Sequence, residues 1–416
     1  MELLILVLSI IVYIIYGKVS IIYTLAIGTI SFFCSKSKQK SIILIAIVLN
    51  IIGLIFFKTI LLNNFNNNII VPLGVSYFTL GIISYLIDVY KGKYEPEKNI
   101  KYFFLYILYF PCIFIGPINR YNDFKKSITI RKRLNNKYLL NSILRIMFGL
   151  FKKLIIAGRI NILIQTTITN NYDGIYVLFA LIMYSFQIYA DFSGGIDIVM
   201  GVSNMFGIEL KENFNTPYLS ETIKEFWNNW HITLGNWLKD YVYIPLGGNK
   251  KGKIRTIINK ILTFLVSGLW HGINYIIWGF LHGIITSFSD KFKTKNKYIN
   301  IFTTFLIVSI LWCFFIWQDP LLAINKVISI FRINNFKVFI NGLNNLGLNL
   351  YNYIILMISL LILTIYDINK KRGKKILNLL SDNKKRVLIY ILFIVVIVYG
   401  IYGIGFEKSE FIYSKF

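Results

Sequence analysis

Acidic residues are scarce in this sequence: 19 Asp and Glu stand against 45 Lys and Arg in 416 residues, and only 15% of the chain is charged. An ordinary soluble domain carries about 25% charged residues, so the chain is short of the groups that clothe a water-facing surface. Cysteine is equally sparse. Cys34, Cys112 and Cys313 are scattered within apolar runs. An odd count without a CxxC spacing excludes a disulfide framework and a zinc site, and all three read as small buried hydrophobes. HExxH, clustered carboxylates and a GxxxxGK[ST] loop are absent, so no metal site and no Walker-type phosphate cradle is expected. Gly247-Gly248-Asn-Lys-Lys-Gly252 is glycine-rich and basic but has no following Ser or Thr. It leaves open only a looser basic site for a nucleotide-like cofactor.

What is present points the other way. Hydrophobic residues make up 56% of the chain, with 34 Phe, 28 Tyr and 7 Trp, which excludes a disordered polymer. A net charge of +26 would indicate nucleic acid in a polar chain. Here the basic residues punctuate long apolar runs, the pattern of an integral membrane protein with positive cytoplasmic loops. The expected partner is a lipid bilayer and not a nucleic acid. The abundance of Ile, Asn and Lys throughout is a background bias and carries no functional weight.

A membrane helix needs about 20 mainly apolar residues. The first run, Met1 to Tyr16, lacks a basic leader and a small-residue cleavage site, so it reads as a retained helix and not a signal peptide. Further runs cover roughly 19–34, 41–62, 70–89, 101–118, 139–158, 174–190, 258–272, 273–288, 300–318, 353–367 and 386–405. The expectation is an all-α integral membrane protein of about 11–12 membrane helices, forming one polytopic domain over residues 1–416 with a motif core at about 110–285 and a tail at 406–416. The runs at 70–89 (Pro72, Gly74) and 101–118 (Pro111, Gly116, Pro117) are interrupted and read as broken or re-entrant. Such backbone survives at membrane depth only where protein or a cavity surrounds it. The basic clusters, strongest at Lys370, Lys371, Arg372, Lys374, Lys375, Lys384, Lys385 and Arg386, place loop 367–386 inside the cell and the tail from Glu407 outside.

Histidine is the side chain best suited to proton transfer near neutral pH, and there are only three: His231, His271 and His282. His271 lies in Gly268-Leu-Trp-His-Gly272, whose glycines let a backbone or ligand approach closely. His231 follows Trp230 in a segment also marked by Trp227 and Trp237, an interfacial amphipathic pattern. His282 is 11 residues beyond His271, three helical turns, so the pair could share a helix face, and a structural role suits it. Asp191 and Asp197 lie in apolar sequence and need partners. A polar network and the orientation of a catalytic His are both open readings.

Five stretches together resemble the bacterial membrane-bound O-acyltransferases, in the branch of the alginate and peptidoglycan O-acetylation membrane proteins. They are Tyr109 to Arg120, Asp191-Phe-Ser-Gly-Gly-Ile-Asp197, Glu212-Asn-Phe-Asn-Thr-Pro-Tyr218, Phe226 to Gly248, and Gly268 to Gly272. The resemblance implies a buried His-containing tunnel, with His271 as principal catalytic residue and His231 as its partner. Trp230, Trp270, Asp191, Asp197 and Asp240 are the substrate- or cofactor-contacting candidates. In the family the residues before the first Trp-His are usually basic, whereas here they are Asn228 and Asn229. Phe411-Ile-Tyr-Ser-Lys-Phe416 resembles a terminal motif of the family, which implies a transient acyl relay on Tyr413. A phenol with pKa near 10 needs a base to become a nucleophile.

The implied reaction takes an acyl group, acetyl before D-alanyl, from a cytoplasmic thioester such as acetyl-CoA. It delivers that group across the cytoplasmic membrane to a cell-envelope or extracellular polysaccharide, with a surface or periplasmic O-acyltransferase as partner and no tightly bound cofactor. A glycan or lipid transporter and a non-catalytic scaffold are the alternatives from other classes.

Overall fold

The computed structural model describes residues 1–16, 18–63, 71–332, 336–374 and 380–402. Those residues form helices and turns, with no strand among them. The Tyr413 relay and the rest of the 406–416 tail lie outside the described residues.

The chain divides into two compact units. The first comprises Met1–Tyr138 and Val202–Lys211; the second comprises Leu139–Gly201 and the described part of Glu212–Ile412.

In the first unit, helices α1 (Glu2–Tyr16), α2 (Lys18–Ser35), α3 (Lys40–Asn63), α4 (Val75–Tyr90) and α5 (Ile100–Leu108) are followed by the amphipathic α6 (Tyr121–Thr129). The expected breaks are real. Gly74, at φ 70°, turns the chain into α4, and α5 ends after nine residues. A single turn, Phe110–Cys112, and irregular buried chain follow. Glu97 ties this unit together. It accepts from Tyr121 (2.5 Å), from Asn99 N–H (2.7 Å) and from Lys125.

In the second unit, α7 (Asn136–Leu150) runs through a π turn, Phe151–Ala157, into α8 (Gly158–Thr169). Helix α9 (Ile175–Met205) is 31 residues long. It continues past the apolar run at 174–190 because cations from the π turn neutralise its aspartates. Gly149 and Gly194 mark the crossing, where a Cβ on either would lie within 2.8 Å of the other's carbonyl oxygen. Then come the short α10 (Ile223–Asn229) and α11 (Ile232–Leu238), the hairpin of α12 (Lys253–His271) and α13 (Ile276–Phe288), α14 (Lys297–Leu311), α15 (Cys313–Ile316), α16 (Pro320–Ser329), α17 (Phe336–Asn341), α18 (Leu350–Lys371) and α19 (Asp382–Tyr399).

Among the described residues, four helical stretches are long and apolar enough to cross a membrane unbroken: Lys40–Lys58, Ile175–Met205, Lys297–Ile316 and Leu350–Lys371. Five more apolar helices among those residues have 10–17 residues. Hydropathy alone counts about a dozen runs, but several are split by Gly and Pro or interleaved with charge.

Candidate active site

The α12–α13 hairpin sets His271. Gly268, Gly279 and Gly283 let the two helices touch backbone to backbone: a Cβ at Gly279 would lie 2.4 Å from the Phe264 carbonyl oxygen, and one at Gly268 2.5 Å from that of Tyr275. His271 is the last residue of α12, and Gly272, at φ 142°, reverses the chain in a conformation that favours glycine. That turn separates His271 from His282, so the two do not share a helix face; His282 lies inside α13. His271 is 3% exposed. Its ring is caged by Trp270 (4.7 Å between centroids), Phe315 (5.4 Å), Trp278 (5.5 Å) and Tyr275 (6.1 Å).

His231 is set by a break. Helix α10 stops at Asn229 and α11 starts at Ile232. Between them His231 takes φ 44°, ψ 52°, a left-handed conformation rare for a residue with a Cβ. Asn213 clasps the break. Its backbone carbonyl accepts from Ile232 N–H (3.0 Å). Its Oδ1 accepts from the Thr233 N–H (3.1 Å) and hydroxyl (2.7 Å) and lies 3.3 Å from His231 Nδ1. Two donors from Thr233 fix the amide oxygen toward this side. Oδ1 can only accept, so Nδ1 of His231 carries the proton and Nε2 is the basic nitrogen. The ring packs edge-on to Phe192 (4.8 Å) and against Trp270 (6.1 Å). Burial pushes the imidazole down to about 3, so it is neutral at physiological pH.

His231 opens on a cavity of about 510 Å³. Trp227, Trp230, Leu234, Leu238, Tyr243 and Phe264 make its apolar wall, Asn228, Asn236, Ser267 and Thr286 its polar points, and Lys224, Lys239 and Lys260 its positive charges. His271 is not on that lining. Trp270 touches both histidines and stands between them. The cavity therefore brings His231 and Trp230 together, while His271 lies one aromatic ring beyond.

The aspartates are held by cations. Lys153 reaches Asp191 (2.7 Å). Lys152 (2.5 Å) and Arg145 (2.9 Å) reach Asp197, and Arg145 also forks onto Glu212. Both lysines come from the π turn. Asp240 sits half-buried in a second π turn, Lys239–Tyr243. The interfacial reading of the tryptophans is corrected: Trp230 and Trp237 are buried. Trp230 stacks on Phe226 (5.5 Å) and packs on Phe214 and Trp312, because the segment is two seven-residue helices and not one amphipathic helix. Sequence reasoning missed Asn213 as an individual residue, although it lies in the quoted Glu212–Tyr218 stretch. It also missed Lys152, Lys153 and Trp278, which carry no local signal.

The sequence matches the family model of MBOAT, the membrane-bound O-acyltransferase family, over residues 96–316. The chain is 34% identical over 317 residues to a probable alginate O-acetylase AlgI of Pseudomonas syringae pv. tomato, covering 74% of this chain and 61% of that protein. It is 33% identical to a peptidoglycan O-acetyltransferase of Helicobacter pylori, covering 66% and 61%. It is also 33% identical to a teichoic acid D-alanyltransferase of Bacillus subtilis, covering 60% and 67%. The chain thus spans about three fifths of the length of these acetylase relatives. The match takes in both histidines, the Asn213 clasp and the α12–α13 hairpin and extends over more than half of the residues, so this membrane protein belongs to the membrane-bound O-acyltransferase family.

Proposed function

We propose that the chain is a multi-pass O-acyltransferase of the cytoplasmic membrane. It moves an acyl group, acetyl first, from a thioester donor to a hydroxyl of a cell-envelope or extracellular polysaccharide. The observation that carries this reading is the neutral, buried His231 on a lysine-rimmed cavity, one Trp270 ring away from the caged His271. The lysines attract an anionic donor such as acetyl-CoA. The apolar wall suits its acyl arm. His271 takes the proton of the attacking hydroxyl, and His231 positions the acceptor or meets the developing charge. The hydroxyl belongs to the polysaccharide or to Tyr413, which would relay the group to a surface or periplasmic O-acyltransferase partner. No tightly bound cofactor is needed.

D-alanyl transfer is a second reading, favoured by the likeness to a teichoic acid D-alanyltransferase. Ester analysis of envelope polymers with and without the gene separates acetyl from D-alanyl. The central test is thiol release from acetyl-CoA by the purified chain supplied with isolated envelope polysaccharide. His271→Ala should abolish it, and turnover at the wild-type rate would overturn the assignment. In cells, unchanged O-acylation with Tyr413→Phe would eliminate an obligatory tyrosine relay.

A further inference from the structure

Trp278 and His282 lie four residues apart on α13 and so share one helix face. Both are fully buried, at 1% and 0% exposure. Their rings are 4.8 Å apart, and the Trp278 ring is also 5.5 Å from His271. Trp227, on the cavity wall, donates its indole N–H to His282 Nδ1 at 3.1 Å. An accepting Nδ1 is unprotonated, so the neutral ring carries its proton on Nε2. That Nε2–H finds no acceptor among the described residues, and neither does the indole N–H of Trp278. Buried donors are almost always satisfied, and two orphans on one face beside a catalytic histidine call for an occupant that accepts hydrogen bonds.

Resting on the acyl-transfer reading above, we infer that Trp278 and His282 form the donor pair that binds the thioester carbonyl oxygen as it becomes an oxyanion. The acceptor hydroxyl gives its proton to His271 as its oxygen bonds to the carbonyl carbon. The carbonyl π electrons move onto oxygen, where Trp278 Nε1–H and His282 Nε2–H meet them. The tetrahedral centre then collapses, the C–S bond breaks, and the thiolate takes the proton back from His271. Neutral donors held rigidly in an aromatic cage stabilise such a charge without reorganising. Trp227 would be a positioning residue, holding His282 in the donating tautomer.

Three variants of the full-length purified chain test this with acetyl-CoA as donor and isolated envelope polysaccharide as acceptor. Trp278→Phe keeps a ring and removes the N–H. His282→Asn keeps an acceptor for Trp227 and removes the Nε2–H. His282→Gln keeps a donor at the Nε2 position. Removing one oxyanion donor lowers kcat by about 10²–10³-fold. The first two variants should show that loss with KM for acetyl-CoA unchanged, and His282→Gln should stay within about tenfold of wild type. If Trp278→Phe does not fold, the Asn and Gln variants decide. Wild-type kcat in Trp278→Phe, or equal losses in both His282 variants, would reduce the pair to packing or a trapped water. In that case His271→Ala still abolishes thiol release. If the wild-type chain releases no thiol, the acetyl-transfer reading fails, and this inference with it.

Discussion

Oδ1 of Asn213 lies 3.3 Å from Nδ1 of His231 and also takes both donors of Thr233. One amide oxygen therefore fixes the tautomer of the histidine and the start of α11. Asn213→Leu strands these donors in a buried site, at a cost of about 1–3 kcal/mol, and frees the ring. Asn213→Asp retains the acceptor, places a buried carboxylate among the three donors that face Oδ1, and gives up an Nδ2 that meets no acceptor among the described residues. The expectation is that Leu lowers thiol release more than tenfold and lowers the unfolding temperature, whereas Asp keeps most activity. Equal activity in both variants would separate His231 orientation from turnover.

His231 also sets a pH dependence. The unfolded chain protonates this imidazole near 6.5. In the fold burial holds it down to about 3. Between those values protons bind the unfolded state and not the folded one. Stability from this residue is thus complete above about pH 6.5 and is lost as pH falls towards 3, by about 1.4 kcal/mol per pH unit. His231→Gln removes one titrating group, so its unfolding temperature should fall less steeply than wild type between pH 6.5 and 4.5. Parallel curves would show that the ring protonates within the fold.

Much of this architecture is legible in the sequence. Apolar runs place most helices, and Pro72, Gly74 and Pro111 mark where they break. The glycines around Trp270-His271 announce a close helix contact. What is not legible is long-range. Nothing in Lys152-Lys153 shows that a π turn will aim the two lysines at two aspartates on another helix. Nothing around His282 shows that Gly272 will reverse the chain and leave Trp278 between the two histidines. The tryptophans near His231 read as interfacial because amphipathic pattern does not distinguish a lipid boundary from an aromatic core.

The hairpin glycines give a packing test. At Gly279 a Cβ would meet the Phe264 carbonyl oxygen at 2.4 Å, and backbone cannot give way as a flexible side chain does. Gly279→Ala should destabilise the chain by about 1–3 kcal/mol and displace His271, lowering both unfolding temperature and thiol release. Gly235, inside α11, is the control. Its nearest neighbour would be the Trp227 carbonyl oxygen at 3.7 Å, an ordinary contact. Gly235→Ala should be neutral or stabilise by about 0.5–1 kcal/mol through helix propensity. A Gly279→Ala variant as stable as Gly235→Ala would contradict the close backbone contact.

Lys153 and Asp191 decide whether the aspartate serves architecture or chemistry. Their ion pair, 2.7 Å long, is buried, with side-chain exposures of 11% and 4%. Asp191→Leu removes the carboxylate from a buried ammonium, a loss of about 3–5 kcal/mol in such sites. Replacing both, Lys153→Met with Asp191→Leu, removes both desolvation penalties together and should restore most of the stability. The two functions then separate. A pair that only holds the π turn against α9 regains thiol release along with its unfolding temperature, and this is the expected result. An Asp191 that orients a catalytic histidine would leave the double variant stable but inactive, with kcat depressed and KM unchanged.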